Sequence, residues 1–234
     1  MPIRSVTAPT PLTRLLRLDL GTLPFAFRAG QAAWLGQHGQ TLRRPYSIAS
    51  SPDDARRHRR IEFLIRVDER GSAGPHLPAL EPGARVDFEG PVGSFTLSDD
   101  APAYLFVAGG TGIAPLRSML RHLIASQVRV PIGLLYSARS VAELAFRTEL
   151  ERLARRGLIT LVMTVTGEAG GDWAGARGRI TLEHLRAALP DPRAVCYLCG
   201  PPALVEAVPP LLRELGVASG AVRVEGRVNG ATSP

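Results

Sequence analysis

Residues Tyr104–Pro115 read YLFVAGGTGIAP. Leu105, Phe106, Val107 and Ala108 form an unbroken apolar run, and Gly109, Gly110, Thr111 and Gly112 follow at once. Beyond them Ile113, Leu116, Leu120, Leu123 and Ile124 recur at helical spacing. A continuous apolar run suits a strand covered on both faces, and the periodic stretch predicts a helix over 113–127. The stretch therefore reads as a parallel strand, a glycine turn and a helix N-terminus. Such a turn lets the main chain approach a ligand closely. Its N–H groups and the helix dipole favour an anion such as a pyrophosphate. Glycine turns also join strands to helices in α/β proteins that bind nothing there, so the surrounding chain has to decide.

Downstream, strand and helix patterns alternate. Strands are expected at Ile132–Tyr136, Ile159–Val165, Val195–Leu198 and Val222–Glu225, with helices at Val141–Arg155, Leu182–Ala188 and Ala203–Leu215. A glycine-rich loop, Gly167–Gly178, interrupts them. This alternation predicts a Rossmann-like parallel sheet with helices on both faces, spanning residues 101–234. Ligands on such sheets bind beyond the carboxyl ends of the strands. Gly109–Gly112, Ser137–Arg139, Thr164–Thr166 and Cys199–Pro201 all fall at such ends. Cys196 and Cys199 spell C-x-x-C, but residues three apart on a strand face opposite ways, so a shared metal or a redox disulfide is not expected.

Upstream, the pattern is different. Short apolar segments alternate with turns: Leu16, Leu18 and Leu20, then Phe25 and Phe27, Ala32–Leu35, Ile61–Val67 and Arg85–Phe88. Proline and glycine punctuate them, Pro52 among others, and no long helix pattern is present. Residues 1–100 are expected to form an antiparallel β barrel or sandwich, ending near Ser98–Pro102. Within it Arg44-Pro45-Tyr46-Ser47 lies in an extended segment, because Pro45 biases Arg44 away from helix. An arginine, an aromatic and a hydroxyl there can hold a phosphate, stack on a ring and donate a hydrogen bond. A plain strand end with a surface arginine fits the same residues.

The bulk numbers narrow the function. The chain of 234 residues is 45% hydrophobic and carries a net charge of +7, and all of its basic residues are arginine. No apolar run is long enough to span a bilayer, and the start lacks a signal-peptide core, so a cytoplasmic protein is expected. Two cysteines are too few for an iron–sulfur cluster, which leaves any such centre to a partner. The densest basic run, Arg56-Arg57-His58-Arg59-Arg60, is expected to lie in a loop. Its aromatics do not interleave with the basic residues, as a single-strand-binding groove requires.

Taken together, several landmarks resemble the ferredoxin–NADP reductase superfamily of flavoproteins. They are Ala29-Gly30-Gln31, Arg44–Ser47, Gly90-Pro91-Val92-Gly93-Ser94-Phe95, Gly109–Pro115 and Cys199-Gly200-Pro201, in that order. The resemblance covers nearly the whole chain and implies an N-terminal Greek-key β barrel that binds flavin and a C-terminal nicotinamide domain. It places Arg44 on the flavin's phosphate, with Pro45 shaping the strand. Tyr46 lies against the isoalloxazine and Ser47 near its N5. Ile65, Arg66 and Val67 would run beside the adenine half of FAD. The family's G-x-x-S/T pyrophosphate motif reads Gly71-Ser72-Ala73-Gly74 here, so the hydroxyl expected at position 74 is absent. Ser72 and main-chain N–H groups remain to bind phosphate, and FAD is preferred to FMN.

On the nicotinamide side the resemblance assigns Gly110, Thr111, Gly112, Pro115, Ser137, Arg139, Cys199, Gly200 and Pro201 to the dinucleotide. Cys199 would lie by the nicotinamide C4, and Ser47, Cys199 and Glu225 would be the catalytic set. With no acidic residue directly after the second strand, and Glu143 only further on, Arg139 or Arg147 is available for a 2′-phosphate, which favours NADPH over NADH. Trp173-x-Gly175-x-x-Gly178-Arg179-Ile180 matches a further family stretch without a clear chemical role. After Glu225 the tail Gly226-Arg227-Val228-Asn229 has no aromatic to cover the flavin. The implied activity is hydride transfer from NAD(P)H to FAD, then electron delivery to an acidic ferredoxin-like iron–sulfur protein. A reductase of free flavin or quinone is one alternative. An arginine-rich nucleic-acid-binding module without redox activity is another.

Overall fold

The computed structural model describes residues 1–78, 80–127, 129–167 and 173–226. The chain forms two compact units. Of the described residues, the first comprises Met1–Leu97, Arg117–Ala125 and Gly226; the second comprises Ser98–Leu116 and Ser126–Glu225.

Among its described residues the first unit has six antiparallel strands, one short helix and the helical stretch Arg117–Ala125. In chain order the strands and the short helix are β1 Ile3–Thr10, β2 Thr13–Asp19, β3 Ala32–Gln37, β4 Arg44–Ser47, α1 Pro52–His58, β5 Arg60–Arg66 and β6 Val86–Val92. They pair as two three-stranded sheets, β1-β2-β5 and β4-β3-β6. Single bridges, Ile48 to Phe63 and Pro2 to Arg85, link the sheets at both edges. The strands thus follow one another in a closed circle, β1-β2-β5-β4-β3-β6, the Greek-key barrel path. Leu16, Leu18, Leu35, Ile61, Phe63 and Ile65 fill the interior, because alternate side chains on a strand share a face. β1 carries a mostly polar pattern, and only its register with β2, Ile3 against Leu18 and Val6 against Leu16, makes it a strand.

The arginine run is not a loop. Arg56, Arg57 and His58 form the last turn of α1, Arg59 takes a left-handed conformation at φ 51°, and Arg60 opens β5. Ser51 explains the difference. Its Oγ accepts from the Asp54 N–H at 3.1 Å, and Pro52 occupies the first turn, where no N–H is needed. Basic side chains in the last turn also face the negative end of the helix dipole. Deeper in this unit, Glu62 accepts from Arg17 at 2.8 Å and from Arg117 at 2.9 Å. Burial pushes the Glu62 carboxyl up, but the two guanidiniums outweigh it and keep it below its usual range.

The second unit contains β7 Tyr104–Gly109, α2 Ile113–Ala125 as far as Leu116, β8 Ile132–Ala138, α3 Arg147–Arg155, β9 Thr160–Val165 and β10 Ala176–Arg177. It continues with α4 Leu182–Ala188, β11 Val195–Cys199, α5 Pro202–Glu214 and β12 Val222–Val224. The six strands form one parallel sheet in the order β10-β9-β8-β7-β11-β12. β7 is buried along its full length, as its apolar run requires. The helix expected over Val141–Arg155 is broken. Val141–Glu143 is a 3₁₀ turn, Phe146 stands at φ 60°, and α3 starts only at Arg147. At the break the Ala145 N–H is shared between the Glu143 carbonyl at 3.0 Å and the Tyr136 hydroxyl at 3.2 Å, so it does not continue a helical ladder. No helix among the described residues is long and apolar enough to cross a membrane.

Candidate functional site

In the first unit, β4 pairs with β3 so that Arg44 opposes Leu35 and Ser47 opposes Ala32. Arg44 is exposed, while Pro45, Tyr46 and Ser47 are half-buried. The Tyr46 ring packs at the edge of the barrel core and stacks on His76, with centroids 5.8 Å apart and planes 15° from parallel. Its hydroxyl lies 2.6 Å from His76 Nε2. Burial pushes the Tyr46 phenol up to about 12, with Arg44 opposing, so it keeps its proton near neutrality. Burial and the Arg44 charge lower the His76 pKa, so that ring is neutral.

The side chains of Ile65 and Val67 are buried, Arg66 is exposed, and the Val67 N–H donates to the Leu12 carbonyl at 3.0 Å. The Gly71–Gly74 loop is organised from within. Asp68 Oδ1 accepts from the N–H of Arg70 at 3.0 Å and of Ser72 at 2.9 Å. The Gly71 N–H donates to the Asp68 carbonyl at 2.9 Å, and the Gly74 N–H to Ser72 Oγ at 3.1 Å. Four N–H groups of this loop are therefore spent inside it, and the Ser72 hydroxyl has no acceptor among the described residues. Two further landmarks meet nearby, where Gln31 Nε2 donates to the Gly93 carbonyl at 3.1 Å.

In the second unit the strand ends singled out by the sequence stand at one level of the sheet. Ala108 is in register with Cys199, Gly109 with Ser137, and Ser137 with Thr164. Gly110–Gly112 forms a 3₁₀ turn that no side chain caps. A Cβ at Gly112 would lie 2.2 Å from the Cys199 carbonyl oxygen. Only glycine lets the turn after β7 lie directly on the Cys199–Gly200 main chain. Pro115 is buried in the first turn of α2, Thr111 is half-buried, and Ser137 is nearly covered. The half-buried Gly200 and the exposed Pro201 follow β11.

Cys199 itself is buried, and its thiol donates to Glu225 Oε2 at 2.6 Å. Glu225 also extends β12 by one hydrogen bond, from its N–H to the Leu198 carbonyl. Burial first, then the Glu225 charge, raises the Cys199 thiol pKa well above the usual thiol range. Cys196 is separate, its thiol turned to the Ala194 carbonyl, and both cysteines are free.

Of the two arginines available for a 2′-phosphate, Arg147 bonds Glu151 at 2.7 Å and lies over Trp173, 5.2 Å from the ring centroid. Arg139 is exposed and forms no ion pair with another described residue. Trp173 has a structural part: its indole N–H bonds the Ala176 carbonyl at 2.8 Å, and Thr164 holds the Gly178 carbonyl at 2.7 Å. Arg227, Val228 and Asn229 of the tail lie outside the described residues. His76 and Asp68 were not singled out by sequence. Their importance comes from contacts with Tyr46 and with the 71–74 loop, and no motif signals it.

The two units, one with an arginine–tyrosine strand and one with a bare glycine turn at a thiol–carboxylate pair, define a flavin- and nicotinamide-dependent oxidoreductase. Family models agree: the oxidoreductase FAD-binding domain matches residues 3–97 and the oxidoreductase NAD-binding domain residues 106–209. The chain is 38% identical over 214 residues to ferredoxin–NADP reductase B of Sorangium cellulosum, covering 86% of this chain and 85% of that protein. It is 34% identical over 217 residues to the ferredoxin–NAD(P)+ reductase component of the naphthalene 1,2-dioxygenase/salicylate 5-hydroxylase systems of Ralstonia sp., covering 91% of this chain but 63% of that longer protein. The crystal structure of the cytochrome P450 reductase GcoB of Amycolatopsis superposes with a TM-score of 0.80 at 27% identity, over 96% of this chain and 68% of that one. The chain belongs to the ferredoxin–NADP reductase superfamily of flavoprotein reductases. It is an NAD(P)H-dependent flavoprotein oxidoreductase, with FAD and a nicotinamide dinucleotide as its cofactors.

Proposed function

We propose that this chain oxidises NADPH and passes the electrons to an acidic ferredoxin-like iron–sulfur protein. Bound FAD supplies the chemistry, accepting a hydride from the nicotinamide and releasing electrons singly. The chain's own residues bind and orient. Residues 1–100 hold the flavin, with Arg44 on a phosphate by charge-assisted hydrogen bonds. Tyr46 and Ser47 meet the ring system, and the 65–67 main chain meets the adenine half. Residues 101–234 hold the dinucleotide. There the Gly110–Gly112 turn takes the pyrophosphate, Ser137 and Arg139 take the adenosine end, and Cys199 and Glu225 position the nicotinamide.

The observation that carries this reading is the contact of Gly112 with the Cys199 carbonyl. It sets an anion-accepting turn against a protonated thiol and a carboxylate at the carboxyl ends of adjacent strands. For the partner, support comes from the net charge of +7, which favours encounter with an acidic protein. The ferredoxin reductases among its relatives point the same way. A cytoplasmic setting belongs to the same reading and fits the two free cysteines.

The test is direct. The purified protein should carry a flavin spectrum that NADPH bleaches in anaerobic stopped flow, faster than NADH does. A [2Fe–2S] ferredoxin added afterwards should be reduced at a rate that falls with salt. Arg44→Ala should lose flavin while keeping its fold. Turnover with free FMN or quinone but none with ferredoxin would reject the proposed partner, and a colourless protein would reject the flavin assignment.

A further inference from the structure

Two charged side chains lie inside the first unit, and the proposed chemistry uses neither. Arg117 is 5% exposed and Glu62 is 6% exposed, and Arg117 Nη1 donates to Glu62 Oε2 at 2.9 Å. Taking such a pair out of water offsets most of its mutual attraction, and packed apolar residues often stabilise a core as well. Stability alone is therefore a poor reason for the pair. Its other contacts give a better one: the same Arg117 Nη1 also donates to the Ala49 carbonyl at 2.8 Å, two residues after Ser47.

The chain that leaves Ser47 is held residue by residue. The Ile48 N–H donates to the Gln31 carbonyl at 2.9 Å, and the Ala49 N–H donates to the Glu62 carbonyl at 2.8 Å. The Ser50 carbonyl accepts from Ser118 Oγ at 2.7 Å, and Ser50 Oγ accepts the Glu62 N–H at 3.1 Å. Glu62 thus holds Ala49 and Ser50 through its main chain and, by way of Arg117, through its carboxylate. Ile48, Ala49 and Ser50 are all buried, so water does not compete for these groups. Arg117 and Ser118 belong to the stretch of α2 that clusters with the first unit. On its other side Ser47 is in register with Ala32 of β3. A displacement of Ala49 has only Ile48 to pass through before it reaches Ser47.

We propose that Arg117, Glu62 and Ser118 are positioning residues for hydride transfer, fixing the Ser47 hydroxyl against the flavin through the main chain of Ala49 and Ser50. None of the three touches the flavin in this reading. The inference rests on the proposed placement of Ser47 at the flavin.

Glu62→Met combined with Arg117→Met removes both charges at once, so neither is left buried without its partner, and Arg17 is exposed enough to turn to solvent. With flavin fully bound, reduction at saturating NADPH should slow about ten-fold or more, since a misplacement of about 1 Å costs up to ~10²-fold. Ser47→Ala sets the upper bound of that loss. In a Ser47→Ala background the double change should cost less than about two-fold, because no hydroxyl is left to misplace. Ser118→Ala keeps the ion pair and frees only the Ser50 carbonyl. It decides the matter if the double variant does not fold, and should slow reduction by about three-fold or more, the scale of one neutral hydrogen bond. A readout without flavin is amide exchange in the deflavinated protein. There the Ile48 and Ala49 amides of the double variant should exchange about ten-fold faster or more, while those of β2, paired on both edges, keep their protection. A wild-type reduction rate in either variant, a full further loss in the Ser47→Ala background, or unchanged exchange at Ile48 and Ala49 would each overturn the proposal. These outcomes leave Ser47 at the flavin, whereas a wild-type rate in Ser47→Ala would overturn that placement and the proposal with it.

Discussion

The thiol of Cys199 donates to Oε2 of Glu225 across 2.6 Å, joining the end of β11 to the residue that follows β12. Burial and then the carboxylate charge raise the thiol pKa, and the thiolate is the reactive form. Cys199 should therefore resist a small alkylating reagent at pH 8 for a time in which a free cysteine reacts to completion. Glu225→Gln removes the charge that helps hold the proton, so it lowers the thiol pKa and should speed labelling at Cys199, read by peptide mass spectrometry. Equal labelling of the variant and wild type would show that the carboxylate does not hold the proton.

The close approach of Gly112 to the Cys199 carbonyl makes position 112 intolerant of any side chain. Gly112→Ala places a Cβ 2.2 Å from that oxygen, so the turn or β11 must move. Overpacking of this kind costs about 1–3 kcal/mol, and the displaced turn should lose nicotinamide affinity as well. Gly220→Ala meets nothing within 4 Å and serves as the control. Chemical denaturation and dinucleotide titration measure both effects; an unchanged Gly112→Ala protein would mean the turn is free to shift.

Acid stability should depend on α1. Asp54 is held by Arg121 at 2.6 and 2.9 Å and by Ser51. Burial raises its pKa, but these partners win and hold it at about 2, below the ordinary 3.8. A carboxylate depressed in the folded state contributes fully above its unfolded pKa. That contribution is lost as pH falls from about 4 towards 2, and is on the order of 1–2 kcal/mol for this partly exposed pair. Arg121→Leu should flatten the acid limb of a pH–stability curve in this window and lower stability at pH 7. An identical acid limb in the variant would assign the loss to other carboxylates.

Cofactor choice should turn on Arg139, since Arg147 is held by Glu151 and Trp173. Arg139→Ala should weaken NADPH by about ten-fold or more and spare NADH, the scale of a charge-assisted hydrogen bond of about 1.5–3 kcal/mol. Arg147→Ala should instead lower thermal stability with little change in the NADPH-to-NADH ratio. A wild-type preference for NADH would refute the assignment before either variant is made.

The sequence by itself determined the class of this protein, because the signals involved are local. An apolar run followed by glycines and a 3.6-residue period gives β7, its turn and α2, and the helix Leu182–Ala188 has the expected limits because Thr181 caps it. The ordered landmarks around Arg44, Gly109 and Cys199 likewise act through short stretches of chain. What only the tertiary structure decided lies between residues far apart in sequence. β1 is a strand because β2 lies beside it, and the helix after β8 breaks at Phe146, where the Ala145 N–H turns to the Glu143 carbonyl and the Tyr136 hydroxyl. Helix α1 was the exception within reach, since Ser51, Pro52 and Asp54 spell its cap, but the prolines and charges around it read as a turn. Tyr46 and His76 are 30 residues apart, and Cys199 and Glu225 are 26 apart. A hydrogen bond between such residues leaves no periodicity or spacing behind. It exists only because the barrel and the parallel sheet close around it, burying the atoms and removing water as the competing partner.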